Sequence, residues 1–155
     1  RFDINTSYME DTIFVTQYLL KVSKVKVLKE NLYYHKFNEE SLTNSNKLEN
    51  KINEYMYSLD KIEEILINDN ISKSKYKNSL ENRRIKLIEA EIAKVKNEKE
   101  IQTIIVNKNV KEILNIKKVK LKYKLFIRIL RTQDSTKIFK YVKIRNKIKR
   151  IVKGR

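Results

Sequence analysis

The sequence predicts an all-α protein: an N-terminal antiparallel two-helix hairpin over residues 1–70, followed by extended basic helices over residues 71–155. Three observations lead there. The 155 residues include one Gly, at position 154, and no Pro, so the turn chemistry of an all-β sandwich is missing. Apolar residues recur in steps of three and four, the period of a helix face. Charge is divided along the chain: residues 1–70 hold 9 basic and 12 acidic side chains, a net of −3, whereas residues 71–155 hold 27 and 7, a net of +20. A near-neutral folded element followed by a basic extension is the pattern of a chain that meets a polyanion.

The first helix is expected to open at Ser7-Tyr8-Met9-Glu10, a capping-box pattern in which the Ser hydroxyl and Glu carboxylate satisfy backbone N–H groups reciprocally. Its stripe is Phe14, Tyr18, Val22, Val25, Leu28 and Leu32, which carries it to about Tyr34, roughly 40 Å at 1.5 Å per residue. Residues 36–46 are polar and read as the hairpin loop. The second stripe is Leu48, Ile52, Met56, Leu59, Ile62 and Leu66, ended by Asn68-Asp69-Asn70. Each helix can bury its stripe against the other, which favours an antiparallel pair. Residues 70–78 read as a linker. A third helix is expected from Leu80 to Gln102, with Ile85, Ile88, Ile92 and Val95 on one side. Ile101 to Val106 is β-branched and fits either a short strand or the helix end. Lys111 to Arg131 follows as a helix with Leu114, Ile116, Leu121, Leu125 and Ile129 apolar. Asp134 or Ser135 caps a last helix from Thr136 to about Val152.

Composition excludes much chemistry. One Gly leaves no phosphate loop or dinucleotide fingerprint. No Cys means no disulfide, thiolate zinc site, iron–sulfur cluster or cysteine nucleophile. The single histidine, His35, sits at a predicted helix end without a partner set for acid–base or metal work and reads as a capping or solvated residue. Glu39-Glu40 and Glu63-Glu64 are adjacent, so on a helix they point apart and cannot share a site. Tyr33, Tyr34, Tyr55 and Tyr57 could stack on bases but read first as packing residues. No catalytic residue, metal, cofactor or small-molecule substrate is expected. The chain has no 18-residue apolar run, so no membrane span is expected either. It starts at Arg1, which implies a removed segment such as a transit peptide or a start inside a longer product.

The basic residues carry the functional signal. Lys outnumbers Arg 28 to 8 alongside abundant Ile and Asn, as an AT-rich coding sequence produces, so position is better evidence than quantity. Lys117, Lys118, Lys120, Lys122, Lys124, Arg128 and Arg131 fall on one predicted helix. Lys137, Lys140, Lys143, Arg145, Lys147, Lys149, Arg150, Lys153 and Arg155 crowd the last stretch. After Glu112 the only acid is Asp134. Phosphate is the natural counter-charge, and contacts to it need no base reading. An anionic membrane surface is the alternative, because Tyr123, Phe126, Phe139 and Tyr141 interleave with these lysines. In the near-neutral hairpin Lys21, Lys24, Lys26, Lys29 and Lys36 cluster on or just after helix one, and acids cluster on helix two. Helix one is thus expected to face RNA.

Residues 7–67 resemble a known family through Glu10-Asp11, Leu19-Leu20-Lys21, Lys51-Ile52, Met56 and Leu59-Asp60-Lys61-Ile62. The family is ribosomal protein twenty-nine of the large subunit, in its longer mitochondrial form. The family's loop prolines and its Trp-Tyr pair are replaced here, the latter by Thr16-Gln17. A second placement exists: Ile144-Arg145-Asn146-Lys147-Ile148-Lys149-Arg150-Ile151 resembles the Val-Arg-Arg-x-Ile-Ala-Arg-Ile pattern on the second helix of the bacterial form. The two cannot both be the family hairpin, and the first spans both helices and the loop. The resemblance implies a hairpin on large-subunit ribosomal RNA near the polypeptide exit tunnel, with neighbouring ribosomal proteins as further partners and no enzymatic activity. It implies a mitochondrial matrix location, or a plastid. The rival is a peripheral helical scaffold subunit of a membrane-associated complex. A basic extension of this kind is expected to be removable, with the hairpin remaining folded.

Overall fold

The computed structural model describes residues 8–30 and 48–153, and among them all regular structure is helical. Among the described residues the helices are α1 (Glu10–Leu19), α2 (Leu48–Asn68), α3 (Lys73–Ile92), α4 (Glu98–Ile105), α5 (Lys108–Ile113), α6 (Leu121–Leu130) and α7 (Ser135–Lys153). The all-α expectation holds. The layout within it differs from the expected one in four places.

The first difference is α1. It opens at Glu10, after Met9 in the left-handed region at φ 62°, and not on a Ser7 capping box; Ser7 itself lies outside the described residues. It ends at Leu19, and residues 22–29 are non-helical. The expected stripe is not its buried side, since Phe14 and Tyr18 are exposed and Ile13 is buried. The Ser58 hydroxyl donates to the Tyr8 carbonyl at 2.6 Å, and the Tyr8 and Tyr55 rings meet edge to face. Gln17, Leu20 and Lys21 share a crevice with Ile65, Asn68 and Asp69. Residue numbers therefore rise together along the two helices. The α1–α2 pair runs parallel, so these two helices do not pair in the expected antiparallel sense. The expected loop, with His35, Lys36 and Glu39-Glu40, lies outside the described residues.

The second difference is where the antiparallel pairs lie. α2 buries Ile52, Met56, Leu59 and Ile62, as its spacing predicts. Its end is a Schellman motif: Asn70, at φ 56°, donates to Ile67, and the Ile71 N–H reaches back to Leu66. With no glycine at hand, Asn takes the left-handed position, which its short side chain tolerates. The chain reverses within four residues into α3, so the expected 70–78 linker is mostly helix. α3 returns antiparallel on α2, with the Arg84 guanidinium 2.7 Å from Asp60 and 3.3 Å from Glu63. Its Ile85, Ile88 and Ile92 are fully buried.

Third, α3 stops at Ile92, and a new helix begins before the expected end at Gln102. Asn97 caps it: its side-chain oxygen accepts from Glu100 N–H at 3.0 Å, while the Glu100 carboxylate accepts from Lys96 N–H at 3.0 Å. Ile101 to Ile105 is helical, not a strand, and buries Ile101, Ile104 and Ile105.

Fourth, residues 111–131 are not one helix. α5 ends at Ile113, a non-helical segment covers most of 114–120, and α6 starts at Leu121. α6 buries Tyr123, Phe126, Ile127 and Leu130, whereas the expected core residues Leu121 and Leu125 are exposed. The chain turns through Gln133 at φ 53° into α7, whose cap is Asp134: its carboxylate accepts from Lys137 N–H at 3.0 Å. α6 and α7 form a second antiparallel hairpin, with Phe126 and Tyr141 rings 6.0 Å apart.

One core unites these elements. It runs from Ile13 through α2–α5 to Ile138 and Val142 on α7. The expected boundary at 70/71 falls inside the turn between α2 and α3. The basic half is therefore not an appendage: its α3, α4 and α5 pack on α2, and it supplies most of the shared core.

Candidate nucleic-acid interface

The basic residues are positioned by two ties. Segment 114–120 carries Lys117, Lys118 and Lys120. At its start the Arg131 guanidinium donates twice to the Leu114 carbonyl, at 2.8 and 3.2 Å. At its end the buried Asn82 side chain donates to the Lys118 carbonyl at 3.1 Å and accepts from Lys120 N–H at 2.9 Å. The segment is thus a strap, fixed at both ends although it makes no helix. Asn82 supplies a donor and an acceptor to backbone groups that this non-helical segment does not pair within itself.

Between this strap and α6 lies a crevice of about 750 Å³. Lys117, Lys124, Arg128 and Arg131 line it, over a floor of Ile116, Val119 and Ile127, and no acidic side chain contributes. Ion pairs among the described residues engage Lys61, Lys77, Arg84, Lys94, Lys108, Lys137 and Arg145. None of them neutralises a cation of the crevice. Lys118, Lys120 and Lys122 stand exposed on its flanks, and the Lys122 amine lies 5.0 Å from the Tyr123 ring centre. This arrangement concentrates positive charge at a concave surface, where a chain of phosphates gains most.

On α7, Lys140, Lys143, Lys147 and Arg150 follow steps of three, four and three and share one exposed face. The Lys143 amine sits 4.4 Å from the Phe139 ring centre. Lys149 is also exposed. Arg145 is different. Its Nε lies 3.1 Å from the Glu89 carboxylate, both side chains are largely buried, and Tyr141 donates to the same oxygen at 3.0 Å. Burial first, then the neighbouring Glu89 charge, pushes the Tyr141 hydroxyl up to about 12. Arg145 is therefore a structural ion pair and not a phosphate contact, a correction to its sequence-based assignment.

Lys21, Lys24, Lys26 and Lys29 are all exposed, on the non-helical stretch after α1 and not on a helix face. Lys36 and Arg155 lie outside the described residues. The aromatics that suggested a lipid surface do not face outward: Tyr123 and Phe126 are buried, Phe139 is half-buried, and the Tyr141 hydroxyl is engaged by Glu89. Of the tyrosines proposed to stack, Tyr55 packs on Tyr8, and burial, then Glu91, raises its hydroxyl above the ordinary range; Tyr57 is exposed with the Lys61 amine 5.8 Å away. Tyr33 and Tyr34 are outside the described residues. Glu63 and Glu64 are taken by Arg84 and Lys61.

Among the described residues no group of acidic and histidine side chains is placed to hold a metal ion, and no helix is long and apolar enough to cross a membrane. The Asn82 tie was not visible in the sequence, where a buried Asn 36 residues from the strap carries no local signal. Comparison of the chain with protein-family models, curated proteins and solved structures returns no match.

Proposed function

We propose that this chain is a structural, RNA-binding constituent of the large subunit of an organellar ribosome, acting by charge neutralisation and scaffolding with no reaction of its own. The observation that carries the reading is the acid-free crevice of Lys117, Lys124, Arg128 and Arg131, held open by a strap that is itself tied down. A backbone fixed before binding loses less freedom when a phosphate arrives. The exposed lysine face of α7 extends the same surface along the hairpin.

The family resemblance moves with the fold. The N-terminal match falls on a parallel helix pair, which the implied hairpin does not accommodate. The match at Ile144–Ile151 falls on α7, the second helix of an antiparallel hairpin with a short connection. On this reading the second placement is favoured over residues 7–67, with the α6–α7 hairpin as the ribosomal protein-like element and α1–α5 as additions to it. Mitochondrion or plastid is the expected setting, with large-subunit ribosomal RNA near the exit tunnel and adjoining ribosomal proteins as partners.

The test is fractionation of organelle extract at graded salt. Co-sedimentation with large subunits, released only at high salt, is the expected result. If 6–10 phosphates are neutralised, affinity for large-subunit RNA should fall about 10³–10⁵-fold between 50 and 200 mM salt. Recovery of the chain in the membrane fraction, free of ribosomal RNA, would sink the reading.

A further inference from the structure

A second groove lies between α6 and α7, meeting the basic crevice at Leu125, with a volume of about 590 Å³. Its floor is Leu125, Ile129, Ile144 and Ile148. Three of these are largely exposed: Leu125 at 58%, Ile144 at 60% and Ile148 at 55%. Ile151, at 59%, continues the row one turn on. Contiguous aliphatic surface drawn from both helices of a hairpin marks a docking site more than chance exposure does. The rim is Lys137, Lys140 and Lys149; Arg145 also lines the groove, but its charge is matched by Glu89. No acid lines the groove.

We propose that this groove docks an amphipathic helix of a partner protein, apolar side inward and acidic residues along its flanks. The chemistry of floor and rim selects that occupant. Isoleucine and leucine offer neither stacking faces nor hydrogen bonds to bases, and Tyr141, the one aromatic in the lining, is held by Phe126 and Glu89, so the floor is unsuited to RNA. A symmetric second copy would set the same lysines against one another, at a cost in repulsion. A membrane surface would call for outward aromatic anchors, whereas Tyr123 and Phe126 of this hairpin are buried and the groove's Tyr141 has its hydroxyl held by Glu89. A helix laid along two others, its leucines between Leu125 and Ile148 and its carboxylates against Lys137, Lys140 and Lys149, satisfies floor and rim together. The inference stands apart from the ribosomal reading in its floor: Ile144 and Ile148 lie outside the basic crevice, which shares only Leu125 with this groove.

The test uses the full chain and three labelled 18-residue synthetic peptides, read by fluorescence anisotropy. One has leucines at helical three–four spacing flanked by glutamates. The second replaces the glutamates with lysines. The third scrambles the first. Micromolar binding of the first, at least tenfold weaker binding of the other two, and at least tenfold loss with Ile148→Asp or Ile144→Asp are expected. Both positions are exposed, so circular dichroism and RNA filter binding of these variants should match wild type. Equal binding of the scrambled peptide, or no effect of Ile148→Asp, would overturn the proposal. So would association with phosphatidylserine vesicles, or self-association in the ultracentrifuge, that Ile148→Asp abolishes.

Discussion

The Tyr141 hydroxyl on α7 donates to the Glu89 carboxylate on α3 at 3.0 Å, and this bond ties the C-terminal hairpin to the middle of the chain. Tyr141→Phe should cost about 1–2 kcal/mol in urea unfolding at pH 7, the range for a bond to a charged group that keeps a second donor. The effect should depend on pH. The fold favours the neutral phenol, whose pKa rises from 10.0 to about 12. The bond's contribution is thus complete below pH 10 and lost as pH climbs toward about 12. Wild type and variant should differ most at pH 9 and converge near pH 12. A gap that widens with pH would contradict the assigned cause.

Asn82→Leu keeps side-chain volume but removes both ties to the strap. It should destabilise the protein by about 1–3 kcal/mol, the cost of leaving the Lys118 carbonyl and Lys120 N–H without their partner. Amide exchange at Lys120 should accelerate more than exchange in α2. Uniform acceleration throughout would mean that Asn82 supports the core generally and not the strap.

Lys124→Gln with Arg128→Gln removes two cations from the crevice without touching the core. The slope of log affinity against log salt for large-subunit RNA should shrink by about 1.4–1.8, two phosphate contacts' worth. The pair Lys21→Gln and Lys24→Gln serves as a comparison on the stretch after α1. An unchanged slope for the crevice pair, with a reduced slope for the other, would relocate RNA binding to that stretch.

Removing residues 111–155 should abolish cooperative folding of the remainder. The truncation exposes the faces of Ile101, Ile104 and Ile105 and deletes Phe126, Leu130, Ile138 and Val142 from the shared core. In the full chain Phe126→Ala alone should cost about 3–5 kcal/mol. A truncated protein with a sharp thermal transition would restore the idea of an independent N-terminal unit.

What could be read from the sequence was governed by how many apolar stripes a helix carries. α2 has one, from Ile52 to Ile62, and its length, end and buried face were all legible. α6 has two: Tyr123, Phe126, Ile127 and Leu130 turn inward, while Leu121 and Leu125, at equally good spacing, stay in solvent. Periodicity alone cannot say which stripe meets the core. In α1 the same ambiguity set Phe14 and Tyr18 against Ile13. The start of α3 was missed because Tyr76 is the only buried side chain in its first two turns, so the pattern there looks like linker. The Asn97–Glu100 cap was written locally and could have been read. The basic crevice was legible as a set of residues but not as a shape, since its strap depends on Asn82 and Arg131 reaching across the fold.

The packing of α4 on α7 has a consequence for synthesis of the chain. At about 5–20 residues per second, residues 104 and 138 are made some 2–7 s apart. The α2–α3 hairpin can form from near neighbours in that interval, but the apolar face of α4 lacks its main cover until Ile138 and Val142 emerge. The nascent chain thus passes through a timed window in which an isoleucine-rich surface is open to chaperones or to misassociation. Its closure coincides with the arrival of the most basic segment, so α4 is covered and the lysine face of α7 appears in the same step.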